Sequence, residues 1–73
     1  TQEILVEMAD TQEMQDKFDE LLKKHGGQVT ESSLTREKGY LRMEITAKLE
    51  PPISHDEALM FMKENSGVRR ISV

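Results

Sequence analysis

Two stretches of the chain alternate apolar and polar residues in the way that predicts strands with one buried face. In the first, Ile4, Val6 and Met8 alternate with residues that include two glutamates. In the second, from residue 40 to residue 50, every second residue is apolar: Leu41, Met43, Ile45, Ala47 and Leu49. Five inward positions in one run predict a central strand with one face in water, and the Pro51–Pro52 pair ends it.

Two further stretches predict weaker strands. Residues 28–35 are mostly polar, with only Val29 and Leu34 apolar, so we expect this strand at an edge of the sheet. A turn at 37–39 separates it from the central strand. The last strand covers Arg69 to Val73 and turns Ile71 and Val73 inward.

The segment between the first two strands has the spacing of an amphipathic helix. Its apolar residues recur at i, i+4, i+7 and i+8: Met14, Phe18, Leu21 and Leu22. Asp10 stands three residues before Glu13, which predicts an N-cap with its capping-box partner. Gly26 and Gly27 predict the end of the helix, because glycine accepts the left-handed conformation that often follows a last turn.

A second helix is predicted between the proline pair and the last strand. Ser54 and Glu57 have the spacing of another capping box. Its expected apolar stripe consists of Ala58, Leu59, Phe61 and Met62. The helix should end between Asn65 and Gly67.

The order β-α-β-β-α-β predicts an α+β fold, a ferredoxin-like or ACT-like sandwich with two helices on one face of a four-stranded antiparallel sheet. The usual strand order, 4-1-3-2, places the two most apolar strands in the centre. The 73 residues form one domain. Because the chain begins at Thr1 and Ile4 is already strand-like, we expect a domain excised from a longer protein.

Composition narrows the classes of function. The chain has no cysteine, which excludes disulfides, thiolate metal sites and cysteine catalysis. Its formal net charge of −4 disfavours binding to a phosphate backbone, so no nucleic-acid partner is expected. No apolar run approaches the ~20 residues of a membrane-spanning helix, so this segment should not insert into a membrane.

The start of the second helix contains candidate metal ligands. His55, Asp56 and Glu57 combine an imidazole with two carboxylates, which can bind a divalent cation. Neighbouring helical residues point in different directions, however, and acidic residues are favoured at helix starts for electrostatic reasons. Structural capping is therefore the preferred interpretation, and it is also preferred for Asp10 and Glu13. No metal or other cofactor is expected.

No enzyme is expected. His25 stands at a helix end without a nucleophile or an orienting carboxylate nearby in sequence, so we interpret it as partly exposed and interacting with the helix C-terminus. An acylphosphatase-type enzyme would need an anion-binding loop after the first strand. The loop Ala9-Asp10-Thr11 has neither glycine nor arginine.

Arg42, Arg69 and Arg70 suggest a basic spot on the open face of the sheet, but glutamates share that face and favour a mixed-charge surface. Leu5 and Tyr40 lie there too and are candidates for a dimer contact. Methionine is a common core filler, and core filling is preferred over soft-metal binding for the five methionines: Met8, Met14, Met43, Met60 and Met62.

Two segments, 43–49 and 66–73, resemble the soluble C-terminal domain of the magnesium-transporter-C (MgtC/SapB) family of bacterial inner-membrane proteins. That domain ends with a helix, a short Gly-Val-Arg-x-Val/Ile turn and a final strand. The residues of this chain that match the turn are Gly67, Val68, Arg69 and Ile71. The opening strand and the charged helix before Gly26-Gly27 also fit.

The resemblance implies a cytoplasmic, ACT-like regulatory domain that follows a membrane-embedded domain of the same chain. It implies a place on the cytoplasmic face of the bacterial inner membrane and a role linked to magnesium homeostasis and virulence. The resemblance makes the membrane-embedded domain the expected partner. Apart from the resemblance, the edges of the second and fourth strands are the expected places for a homodimer contact. The functional residues of the family lie in the membrane domain, so none is assigned to this chain.

An alternative is a small-molecule-sensing ACT domain of a soluble metabolic enzyme. Such domains have a glycine in the loop after the first strand, where this chain has Ala9-Asp10-Thr11. The hydropathy of the parent protein upstream of Thr1 distinguishes the two hypotheses. Transmembrane helices are expected there under the first and an enzyme domain under the second.

Overall fold

The computed structural model describes residues 1–73 and contains four strands and two helices in the predicted order. The elements are β1 (Gln2–Ala9), α1 (Gln12–Lys24), β2 (Gln28–Glu37), β3 (Tyr40–Lys48), α2 (His55–Glu64) and β4 (Val68–Ser72). The strands form one antiparallel sheet in the order β2-β3-β1-β4. The predicted ferredoxin-like α+β fold is therefore confirmed, with β1 and β3 in the centre.

The hairpin that joins β2 and β3 is tighter than the sequence indicates. The structure extends β2 to Glu37 instead of ending it at Thr35. Lys38 (φ 43°) and Gly39 (φ 85°) are both left-handed, which is the conformation of a two-residue type I′ turn. Such a turn matches the twist of the two strands and allows them to pair along their full length.

The core lies between the helices and one face of the sheet. Alternate residues of β1 point into it, as predicted from Ile4, Val6 and Met8. One contiguous cluster contains all the buried apolar side chains: Ile4, Val6, Met8, Met14, Phe18, Leu21, Leu22, Leu41, Ile45, Ala47, Leu49, Ile53, Ala58, Phe61 and Val68. We call this face of the sheet the helix side and the opposite face the open side. Neither helix has the length and apolar composition needed to cross a membrane.

The predicted apolar stripe of α2 was partly wrong. Leu59 belongs to the predicted stripe but is 52% exposed, because the buried face of this short helix is built on Ala58 and Phe61. The methionines behave mainly as core fillers. Met8 and Met14 are buried and Met43 packs against the core, whereas Met60 is exposed.

Gly67 lies where two elements approach closely. Its carbonyl accepts a hydrogen bond from the backbone N–H of Ala9, with an N···O distance of 2.8 Å. A Cβ at this position would lie 2.9 Å from the side chain of Met14, which is closer than packed atoms allow. Steric proximity therefore explains this glycine, since its φ angle is not in the left-handed region.

The N-cap of α1 is Thr11, so the assignment of Asp10 to that position was wrong. The Thr11 hydroxyl accepts a hydrogen bond from the N–H of Met14 at 3.2 Å. The backbone N–H of Asp10 instead donates to Gly39, and its carboxylate lies 3.1 Å from Nε of Arg36. Asp10 is thus held by the β2–β3 hairpin, one residue before the cap.

Alanine substitutions at Thr11 and at Asp10 should distinguish the helix cap from the ion pair. We expect Thr11→Ala to lower the free energy of unfolding by about 1 kcal/mol, because a helix N–H loses its acceptor. Asp10→Ala breaks only a partly exposed ion pair and should cost less, at most about 0.5 kcal/mol. Urea denaturation of the two variants checks the order. A larger loss for Asp10→Ala would contradict the assignment.

Candidate functional site

The outer edge of β2 is the most accessible pairing surface of the fold. β2 is the longest strand, with ten residues, and it pairs only with β3. All ten residues are exposed. The backbone N–H and C=O groups on its outer side have no strand partner, which makes this edge a template for another strand.

The opposite edge of the sheet differs in length and charge. β4 has five residues, and Arg69 and Arg70 are exposed on it. The Arg69 guanidinium lies 4.4 Å from the ring centroid of Tyr40 and 3.6 Å from Glu7. Short, charged strands are a common way of protecting a sheet edge. We therefore place the candidate site at β2 and not at β4.

On its helix side, β2 carries two half-exposed apolar residues, Val29 and Leu34, with the polar Ser32 between them. Leu34 lies opposite Met43 of β3, which itself packs against the core. The helices do not cover the outermost strand, so Leu34 is 45% exposed and Val29 is 44% exposed. A bulge between Val29 and Glu31 brings Val29 to this same side, opposite Ala47.

On its open side, β2 borders an acidic hollow of about 540 Å³. Glu31 lies opposite Thr46, which has Glu3 on its other side, and Ser33 lies opposite Glu44. Arg42 pairs with Glu44 at 3.2 Å, but Glu3 and Glu31 have no ion-pair partner. The hollow therefore has an excess of negative charge.

The proposed basic spot is neutralised by neighbouring glutamates. Arg42 lies beside Glu44 and Arg69 beside Glu7, both on the open side. The preferred interpretation of a mixed-charge surface is confirmed by these contacts. Arg42 and Arg69 are paired within the domain, and Arg70, which has no ion-pair partner, lies opposite Glu7 of β1.

The candidate metal ligands of α2 do not converge on one point. The N–H of Glu57 donates to the Ser54 hydroxyl at 3.1 Å, which confirms the cap. The carboxylate of Glu57 turns inward, with Oε1 2.7 Å from Nε2 of His25. His55 and Asp56 are exposed, and no three His, Asp or Glu side chains are spaced to hold a metal ion. The structure therefore does not bring these three side chains together as one set of ligands.

His25 is buried, so its interpretation as a partly exposed residue was wrong. Its ring lies between the end of α1 and the loop that leads to α2, and 6% of the residue is accessible. Nδ1 bonds to the carbonyl oxygen of Pro51, and Nε2 faces the carboxylate of Glu57. A carbonyl and a carboxylate are both acceptors, so these surroundings favour the doubly protonated, charged form of the ring.

The surroundings of His25 raise its pKa above the ordinary value of 6.5. The contact with Glu57 contributes most and outweighs burial, which acts in the opposite direction. The Pro51 carbonyl raises the pKa further, and Lys24 lowers it slightly. A sequence signal for burial does exist, because His25 lies seven residues after Phe18 and so continues the apolar face of α1.

A second concave surface lies between the two helices, opposite the sheet. This open groove has a volume of about 640 Å³. Leu21, Met60 and Phe61 form its apolar part, while Lys17 and Glu64 are among its charged residues. Lys17 and Lys24 partly offset its acidic residues, so its preference for a charged partner is weaker than that of the hollow beside β2, which no basic residue lines.

Comparison of the chain with protein-family models, with curated proteins and with solved structures gave no match. The resemblance to the MgtC/SapB family therefore stays a prediction.

Proposed function

We propose that this domain is a non-enzymatic interaction and regulatory module that binds an extended protein segment along β2. The observation that carries the proposal is the fully exposed ten-residue edge of β2. A segment that adds to this edge gains main-chain hydrogen bonds from groups that otherwise bond only to water. Side-chain contacts along the two sides of β2 then select the segment.

The contacts of His25 support the non-enzymatic part of the proposal. A general base needs a free ring nitrogen within reach of a substrate proton. Both nitrogens of His25 are engaged inside the domain, by Pro51 and by Glu57, and the ring is almost inaccessible. The role of this histidine is to join α1 to α2.

The resemblance to the MgtC/SapB family supplies a setting for such a module. In that setting the domain lies on the cytoplasmic face of a bacterial inner membrane and regulates the membrane-embedded domain of its own chain. A link to magnesium homeostasis and virulence then belongs to the whole protein. Apolar segments of about 20 residues upstream of Thr1 in the parent protein would support this setting, and their absence would contradict it.

The groove between the helices favours a second candidate function, the sensing of a small molecule by an ACT-type domain. Its volume of about 640 Å³ lies in the range of ligand sites, and Met60 offers an exposed apolar side chain inside it. A ligand in this groove would shift the NMR signals of α1 and α2 and leave β2 unchanged.

An NMR titration with two peptides tests the proposed function. One ten-residue peptide alternates valine and threonine, and the other has the same length but is alanine-rich and helical. We expect the strand-forming peptide to shift amide signals of β2 and β3, because main-chain pairing needs an extended partner. Shifts caused only by the helical peptide, or shifts confined to the helix groove, would contradict strand addition.

A further inference from the structure

We infer that the segment bound by β2 has basic side chains on the open side and apolar side chains on the helix side. This inference rests on the proposed function and adds the chemistry of the partner. Successive side chains of an added strand point to opposite sides of the sheet. The two sides of β2 differ in chemistry, so each selects a different set of side chains.

The open side selects positive charge. Glu31 and Glu37 of β2 are exposed, and neither has an ion-pair partner. A strand paired with β2 would lie about 4.8 Å away, so its Lys or Arg side chains could reach Glu31 and the acidic hollow behind it. Glu3 and Glu44 line that hollow and extend the negative field across the sheet. Lys48 lies opposite Gln28, so the preference for positive charge should be strongest at positions facing 31–37.

The helix side selects apolar residues. Leu34 is half-exposed there and adjoins Met43, so an apolar side chain on the added strand would extend the core by one row. Arg36 lies on the same side, opposite Leu41, where Asp10 balances its charge, so no free negative charge on this side selects basic residues. Basic and apolar residues should therefore alternate along the segment.

Charge also argues against a second copy of the domain as the occupant. Each copy has a formal net charge of −4. Antiparallel pairing of two β2 strands would bring Glu31 and Glu37 from both copies to the open side of one interface. Like charges across paired strands are destabilising. The β4 edge of a second copy is short, and its Arg69 is already paired with Glu7.

Two matched peptides test the inference. One alternates lysine and valine over ten residues, and the other alternates glutamate and valine. We expect the lysine peptide to bind β2 at least about tenfold more tightly, with shifts centred on residues 31–37. Glu31→Lys should weaken its binding about tenfold, whereas Asp19→Lys, the same charge change on an exposed part of α1, should change it less than about threefold.

The possible outcomes separate the two proposals. Equal binding of both peptides at β2 would contradict the charge preference and leave strand addition intact. No shift at β2 with either peptide would contradict both proposals. Sedimentation that shows a dimer, with β2 amides protected in the absence of peptide, would identify a second copy as the occupant and overturn the inference.

Discussion

Replacing His25 with alanine should lower the free energy of unfolding by about 2–4 kcal/mol, because it breaks a buried ion pair and a hydrogen bond at once. The ring contacts Glu57 at 2.7 Å and the carbonyl of Pro51, so its loss leaves both acceptors without their partner. It also opens a space between α1 and the loop before α2. Urea denaturation of the wild type and the variant at about pH 6 measures the loss.

His55→Ala is the matched control, because His55 is exposed in the first turn of α2 and makes no comparable contact. This variant should stay within about 0.5 kcal/mol of the wild type. Equal effects of the two histidine substitutions would show that the buried pair is not what joins the helices.

The same pair should make stability depend on pH in one direction. The folded domain holds the proton of His25 more tightly than the unfolded chain, since the pKa is raised above 6.5 by Glu57. The stabilisation is complete below the unfolded pKa and is lost as pH rises through the folded pKa. The difference between wild type and His25→Ala should therefore shrink as the pH rises above 6.5 and through the raised pKa of His25. A difference that grows with pH would contradict a charged His25.

Phe18→Ala should be the most damaging single truncation, with a loss of about 3–5 kcal/mol. Phe18 is the largest fully buried side chain, and its ring centroid lies 6.2 Å from that of Phe61 in α2. Alanine would leave a cavity between both helices and the sheet. For a domain of this size the total stability is about 4–11 kcal/mol, so a large part of it would be lost. Thermal unfolding followed by circular dichroism measures the change.

Phe18→Leu and Leu59→Ala provide the controls for this result. The leucine keeps most of the volume and should cost clearly less than the alanine. Leu59 is 52% exposed on α2, so its truncation should cost less than about 1 kcal/mol. A small effect of Phe18→Ala would mean that the helices do not pack on the sheet through this ring.

The fold was predictable because the apolar pattern within each short stretch of sequence already indicates a strand or a helix. Alternation in β1 and β3 and the helical spacing of Met14 and Phe18 are repeated patterns, and each agrees with the same layered architecture. The polarity of β2 correctly placed it at an edge. A pattern that repeats over eight or more residues still predicts its element when one position does not fit. The second helix was predicted although Leu59, a residue of its expected apolar stripe, is exposed.

Contacts between distant residues were not predictable from these patterns. Glu57 of the α2 cap turns to His25, and the side-chain amide of Gln2 exchanges two hydrogen bonds with the backbone of Ile53. Each contact depends on how a loop brings two elements together. The predicted N-cap of α1 was wrong by one residue, because the backbone N–H of Asp10 donates to the carbonyl of Gly39 in the β2–β3 hairpin.

The candidate site combines one predictable feature with one that needs the structure. The edge position of β2 follows from its composition, but the acidic hollow depends on the register that places Glu31 and Glu3 on either side of Thr46. That register includes a bulge between Val29 and Glu31. A shift by one residue would move Glu31 to the helix side and Leu34 to the open side.

Amide hydrogen exchange of β2, measured with and without the lysine–valine peptide, tests strand addition most directly. In the free domain, N–H groups of β2 that point away from β3 should exchange rapidly, because only water bonds to them. With saturating peptide we expect these alternate amides to become protected, while the amides of α1 and α2 stay unchanged. Protection that appears in the helix groove instead, or no protection along β2, would contradict the proposed role of this edge.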